Sequence, residues 1–269
     1  MYNESGRVPW SIGYQEARDI FVQEALADET LLERFRRADT LPAGYGIGID
    51  ERTVEYPWAF ARLSLGGGRV LDAGGTLNYA FLVAHPLIRA KTLHIVTLVP
   101  EGHCQCVQGV SHIYADLRSV PISSGYYDVV LCISTLEHIG MDNTLFHGEV
   151  ENAPGDYVAA VREMRRLLRP GGILLLTVPF GTYKHFGSFQ LFDQRLVGNV
   201  VAAFSPSHAE ETYFRYTAQG WSRSDARACA DAEYVPWIMQ SALERPTTFP
   251  VQPDNAAAAR AVACLQLTA

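Results

Sequence analysis

The sequence predicts an α/β fold, with a mainly parallel sheet covered by helices on both faces and a helical extension ahead of it. Three observations carry this. Strand-sized apolar runs alternate with helical segments from Arg69 onward, the run Ile173 to Val178 is apolar almost throughout, and a glycine turn, Gly74-Gly75, follows the first strand. Alternation of this kind requires crossover connections, and a strand apolar on both faces requires cover on both.

The extension comes first. Tyr14 to Leu26 sets Ala17, Ile20, Phe21 and Ala25 at helical spacing, and Asp28-Glu29-Thr30 opens a second helix with Leu31, Leu32 and Phe35 on one face. Amphipathic helices must pack on something, so residues 1–65 are expected to form a helical extension or lid. Residues 66–269 then form the sheet domain, with 181–260 as a variable segment. A turn-rich link from Leu41 to Gly48 leads to Arg52, Glu55, Tyr56 and Trp58, which suit a pocket edge or, as the preferred reading, a surface ion pair over a packed Trp58.

Within the sheet domain, Arg69 to Ala73 is the first strand and Leu77 to Ala84 a helix that Pro86 ends. Leu93 to Leu98, His112 to Ala115 and Tyr127 to Ser134 are the next strands. Asp156 to Arg169 places Tyr157, Val161, Met164 and Leu168 on one helical face, and Pro170-Gly171-Gly172 stops it before the strand Ile173 to Val178. After Pro179 the pattern loosens into a loop (Gly181 to Leu191), a helix (Asp193 to Phe204), a strand (Thr212 to Thr217) and a helix capped by Ser224 (Ser224 to Ala232). A connection marked by Pro236, Pro246, Pro250 and Pro253 leads to a last strand, Ala263 to Thr268.

Composition narrows the function. A chain of 269 residues that is 48% hydrophobic and 19% charged belongs to the soluble globular class, and its formal charge of -7 argues against a broad surface for polyanions. The five cysteines are odd in number and lack framework spacing, so the expected home is a reducing cytoplasm. No apolar run approaches bilayer length.

Four motifs fall in a fixed order: Val70-Leu71-Asp72-Ala73-Gly74-Gly75, then Asp116-Leu117, then Tyr127-Asp128-Val129-Val130 with Leu136-Glu137-His138-Ile139 behind it, then Leu168-Arg169-Pro170-Gly171-Gly172. In this order they resemble the Rossmann-like class I S-adenosylmethionine-dependent methyltransferases, small-molecule type, over roughly residues 66 to 180. The resemblance implies S-adenosyl-L-methionine as cofactor. Gly74 and Gly75 would let backbone run against its amino-acid and ribose region, and Asp72 would order the turn or receive the ammonium through water. Asp116 is at the position where the family accepts a hydrogen bond from the adenine amine, with the Leu117 backbone nearby, and Ser134 would lie beneath the methionine part. The chain departs from the family at Thr76 and Asn78, which occupy glycine-like places. It departs again at Thr97, which with Glu101 beyond it stands where the ribose-binding acid belongs.

An oxygen acceptor must lose a proton, and histidine is the usual base near neutral pH. His138 and His185 are therefore the catalytic candidates, with helix capping or packing the alternative for His138 and an exposed loop position for His185. Tyr183, Arg195 and Trp221 are candidate acceptor contacts. His103-Cys104-Gln105-Cys106, with His94 and His112 near it in sequence, invites a metal. Two cysteines one residue apart are an uncommon zinc spacing, so free buried thiols and no metal are expected. The resulting expectation is methyl transfer to a small-molecule acceptor, an oxygen of a sugar or secondary metabolite, without nucleic-acid or membrane partners and compatible with a homodimer. A catalytically silent S-adenosylmethionine-binding protein and a nicotinamide-dependent oxidoreductase are the alternatives, the latter opposed by the lack of a G-x-G-x-x-G turn.

Overall fold

The computed structural model describes residues 2, 6–100, 104–106, 109–144, 150–235 and 251–269. Glu101, His103, Pro236, Pro246 and Pro250, named above, lie outside the described residues. The chain divides into two compact units that alternate along the sequence: residues 1–62, 179–183 and 212–263 form one, and residues 63–178, 184–211 and 264–269 the other. Among the described residues, no helix is long and apolar enough to cross a membrane.

The first unit holds helices α1 (Tyr14–Ala27), α2 (Glu29–Arg37) and α3 (Arg52–Phe60). Asp28 caps α2 by accepting from the Leu31 N–H at 3.0 Å, and Leu31, Leu32 and Phe35 are buried as their spacing predicts. In α1, Ala25 is buried and Ala17 and Phe21 partly buried as predicted, but Ile20 is 48% exposed, and the main buried stripe is the i, i+4 row Tyr14, Arg18, Val22 and Leu26. The row is drawn inward by polar anchors: the Tyr14 hydroxyl donates to Asp50 Oδ2 at 3.0 Å, and Arg18 reaches the same oxygen at 3.4 Å.

Helix α3 corrects the expectation of a surface ion pair. Glu55 is fully buried and pairs with Arg52 inside the unit. Pro57 lies within this helix and has no N–H to give Thr53, whose carbonyl instead accepts from the Tyr45 hydroxyl at 2.7 Å. The same unit contains an antiparallel hairpin pairing Tyr213 to Thr217 with Gly220 to Ser224, the latter a strand that the sequence pattern did not predict.

The second unit contains the parallel strands β1 (Arg69–Ala73), β2 (Thr92–Thr97), β3 (Ser111–Tyr114) and β4 (Tyr127–Ile133), and most of β5 (Leu168–Pro179). They run side by side in the order β3-β2-β1-β4-β5. Val70, Leu71, Ala73, Val130, Leu131, Leu174 and Leu175 have no exposed surface, as strands covered on both faces should. Asp128 fastens the edge where β1 and β4 begin, accepting from the Arg69 N–H at 2.7 Å and from Arg169 Nε at 2.6 Å. These bonds, the Arg69 N–H first, hold its carboxyl below the usual range.

Three expectations in this unit need correction. The helix read over Leu77 to Ala84 is a single turn, α4 (Ala80–Val83), because the Leu77 N–H donates to Asp72 and does not enter a helix. Pro86 opens α5 (Pro86–Arg89), where its missing N–H costs nothing. Helix α6 (Tyr157–Leu167) ends before Leu168, and Pro170-Gly171-Gly172 lies inside β5, where Gly171 N–H and Gly172 C=O bond to Ala269. Helix α7 (Gln194–Phe204) forms as predicted, capped by Asp193. The helix read from Ser224 shrinks to Ala226–Cys229 in the first unit, capped by Asp225.

Candidate functional site

The strand order defines where a ligand belongs. From β1 the sheet grows through β2 and β3 on one side and through β4 and β5 on the other, so the chain changes direction between β1 and β4. In open α/β sheets, ligands bind outside the carboxyl ends of the strands at such a switch point. Here those ends are Gly74-Gly75 after β1 and Ser134-Thr135 after β4.

Asp72 builds the turn. It has no exposed surface, and its carboxylate accepts from the Leu77 N–H at 2.7 Å, the Thr76 hydroxyl at 3.1 Å and the Thr76 N–H at 3.3 Å. The Thr76 side chain therefore stiffens the loop. Gly74 (φ 123°) and Gly75 (φ 81°) hold backbone angles that L side chains rarely adopt. A Cβ on Gly74 would fall 2.1 Å from Thr135 Oγ1, so the absence of a side chain lets the turn close against the end of β4. Asn78 is buried at 1% exposure, its N–H donating to the Gly75 carbonyl.

Ser134 is also in a left-handed conformation, φ 38°, which is uncommon for a residue with a side chain and concentrates at functional sites. Its N–H is held by both the carbonyl and the hydroxyl of Thr177, at 3.0 and 3.1 Å. Two strand ends thus meet in strained, over-determined backbone.

Thr97 ends β2, and its carbonyl accepts from the Ala115 N–H. Beyond β3, Asp116 is engaged by Arg118: Nε and Nη2 of the guanidinium reach its two oxygens at 2.6 to 3.0 Å, and the Arg118 N–H adds 2.7 Å. Arg118 also binds Glu151 at 2.7 Å and Asp156 at 2.8 Å. The hydrogen bonds that it donates, to Asp116 first and then to Glu151, hold its guanidinium well above the ordinary arginine range. An adenine amine seeking the Asp116 carboxylate therefore meets oxygens already in use, while Leu117 beside it is buried. Arg118 and Thr177 were not foreseen; an arginine two residues after an acid is a faint signal, and the Thr177 contact exists only in three dimensions.

His138 ends a 3₁₀ turn, Leu136–His138, and its Nδ1 donates to the Ser188 carbonyl at 2.7 Å. A carbonyl only accepts, so this bond assigns the proton to Nδ1 and makes Nε2 the lone-pair nitrogen of the neutral ring. His185 is exposed, in the short strand Lys184–His185, and its Nδ1 accepts from the Gly187 N–H at 3.0 Å. Arg195 is an exposed residue of the first turn of α7, 4.0 Å from Asp193. Tyr183 and Trp221 belong to the first unit: Tyr183 is 41% exposed, whereas Trp221 is buried and donates from Nε1 to the Ile49 carbonyl at 3.0 Å.

The sheet order and the strand-end turn define an open α/β fold of the Rossmann-like kind. The family described as "Methyltransferase domain" matches residues 99–176. The matched stretch lies within the sheet-bearing unit, from the crossover after β2 into β5. No curated relative matches the chain. Among solved structures, it is similar to a Burkholderia thailandensis 1,6-didemethyltoxoflavin-N1-methyltransferase with bound 1,6-didemethyltoxoflavin and S-adenosylhomocysteine, at 15% identity over 99% of this chain and 88% of that one, TM-score 0.46. It is also similar to a Haemonchus contortus phosphoethanolamine N-methyltransferase 2 in complex with S-adenosyl-L-methionine, at 14% identity over 93% of this chain and 59% of that one, TM-score 0.47.

Proposed function

We propose that this protein transfers a methyl group from S-adenosyl-L-methionine to a hydroxyl oxygen of a small molecule, of the kind found in sugars and secondary metabolites. The observation that carries the reading is the switch point between β1 and β4, where the Asp72-ordered glycine turn meets Ser134 and Thr135. The donor set suits this cofactor. Carboxylates and hydroxyls at the strand ends complement a sulfonium cation, an ammonium and a hydroxyl-bearing ribose, and the one cationic side chain described there, Arg118, is neutralised by three acids. Gly74 and Gly75 would hold the methionine and ribose region, Thr97 a ribose hydroxyl, Asp116 and the Leu117 backbone the adenine.

The cofactor supplies an electrophilic methyl group bound to sulfur. The chain's own residues would orient the acceptor for in-line attack, exclude water and manage one proton. His138 would take the acceptor's hydroxyl proton on Nε2, while the Nδ1 bond to Ser188 keeps the ring in place. An oxygen acceptor is preferred because such a base is needed for it, and a net charge of -7 disfavours a polyanionic acceptor.

A silent binding role is the second reading, favoured by the engaged Asp116 carboxylate and by Thr97 in the acid's place. Methyl-labelled S-adenosylmethionine and a panel of hydroxyl acceptors separate the two. The proposal expects label in at least one acceptor, with His138→Asn reducing turnover about 10²-fold or more while leaving cofactor affinity unchanged. Cofactor binding without transfer to any member would favour the silent role, and an unchanged rate in the variant would return His138 to a structural part.

A further inference from the structure

The crossover between β2 and β3 carries chemistry that methyl transfer does not use. Cys104 and Cys106 stand in it, and His112 is the second residue of β3, in register with Ile95. One donor atom from each of the three lies within 4.8 Å of the other two. Both thiols are exposed, contrary to the expectation of buried thiols, and they hydrogen-bond to each other. His112 is half-buried, and its Nε2 is shielded from solvent with no hydrogen-bond partner among the described residues. A shielded ring nitrogen without a partner is unfavourable, and a ligand can remove that cost. The neighbouring His94 is differently placed: its Nδ1 is 2.9 Å from the Tyr127 hydroxyl.

We propose that Cys104, Cys106 and His112 bind Zn²⁺ through two thiolates and one imidazole, with water in the fourth position. The one-residue cysteine spacing that disfavoured a metal in the sequence matters less once a third donor arrives from a strand, which fixes the site against rigid backbone. Sulfur and nitrogen donors suit zinc, and two thiolates balance its charge. Tetrahedral zinc with ordinary bond lengths sets its ligand atoms about 3.6–3.8 Å apart, so the donors need to close by at most about 1 Å, within reach of side-chain rotation at two exposed cysteines. Binding forms two Zn–S bonds and one Zn–N bond and releases both thiol protons to solvent. The site would tie the crossover to edge strand β3, and it is independent of the methyl-transfer reading.

The full chain, stripped of metal and kept reduced with a phosphine, is titrated with Co²⁺ as a spectroscopic probe and then with Zn²⁺. The expected result is one Co²⁺ per chain with thiolate-to-metal charge-transfer absorption, displaced by one equivalent of Zn²⁺. Cys104→Ser, Cys106→Ser and His112→Ala should each weaken Zn²⁺ by about 100-fold or more. Absent charge-transfer absorption, or affinity indifferent to either cysteine, would overturn the site. Because His112→Ala removes a strand residue, X-ray absorption on the zinc form of the parent supplies a second readout. Two sulfurs with one imidazole are expected, and a shell of sulfur alone or without sulfur would contradict the proposal.

Discussion

Gly74 is the residue at which the site tolerates least change. Alanine there meets two separate obstacles, a φ of 123° and a contact of 2.1 Å with Thr135 Oγ1. Gly74→Ala should cost about 2 kcal/mol or more, seen as a lowered melting temperature, with loss of cofactor binding. Adding Thr135→Ala should recover part of that loss, since it removes the contact and leaves the backbone strain. Full recovery would mean that the backbone angle is not needed.

Glu51 makes a second prediction at the same scale. Arg18 pairs with Asp50 and Arg52 with Glu55, which leaves Glu51 as a third buried carboxyl with no ion pair of its own among the described residues. Burial first, then Asp50 and Glu55, push its pKa from 4.5 up to about 8. Between those two values the folded state holds a proton that the unfolded chain has lost, so stability falls as pH rises through that window. Glutamine keeps an oxygen for the Ala259 N–H, which Glu51 accepts at 3.2 Å. Glu51→Gln should therefore melt higher than the parent at pH 8 and level with it near pH 4.5, in melting curves taken across the range. Parallel pH dependence in the two proteins would contradict the assignment.

At the scale of elements, legibility followed the reach of the forces involved. Strands β1 and β4 were readable because burial on both faces writes itself as an apolar run, and α2 because Asp28 and the Leu31, Leu32, Phe35 face are local signals. Helix α3 was not readable: Pro57 argues against a helix, and the compensation comes from Tyr45, a distant hydroxyl that supplies the missing hydrogen bond to Thr53. The segment after the glycine turn was read as too much helix because Asp72 captures the Leu77 N–H from five residues upstream. The ion-pair cluster at Arg118 joins the nearby Asp116 to Glu151 and Asp156 from far along the chain, and only the Asp116-Arg118 spacing hints at it.

At the scale of the molecule, the chain crosses between its two compact units several times, first after Arg62. The order of the motifs along the sequence matches the strand ends that meet at the switch point, Gly74-Gly75 after β1 and Ser134-Thr135 after β4. Under the proposed function, Thr76 and Thr97 bear on how tightly that edge would hold its ligand. Thr76 reinforces the turn through Asp72, whereas Thr97 cannot offer the paired oxygens of a carboxylate to a ribose. Calorimetric titration of the full chain with S-adenosyl-L-methionine, and separately with NAD, tests the central claim most directly. Saturable heat at one equivalent of S-adenosyl-L-methionine and none with NAD is the predicted result; no heat with S-adenosyl-L-methionine would contradict it.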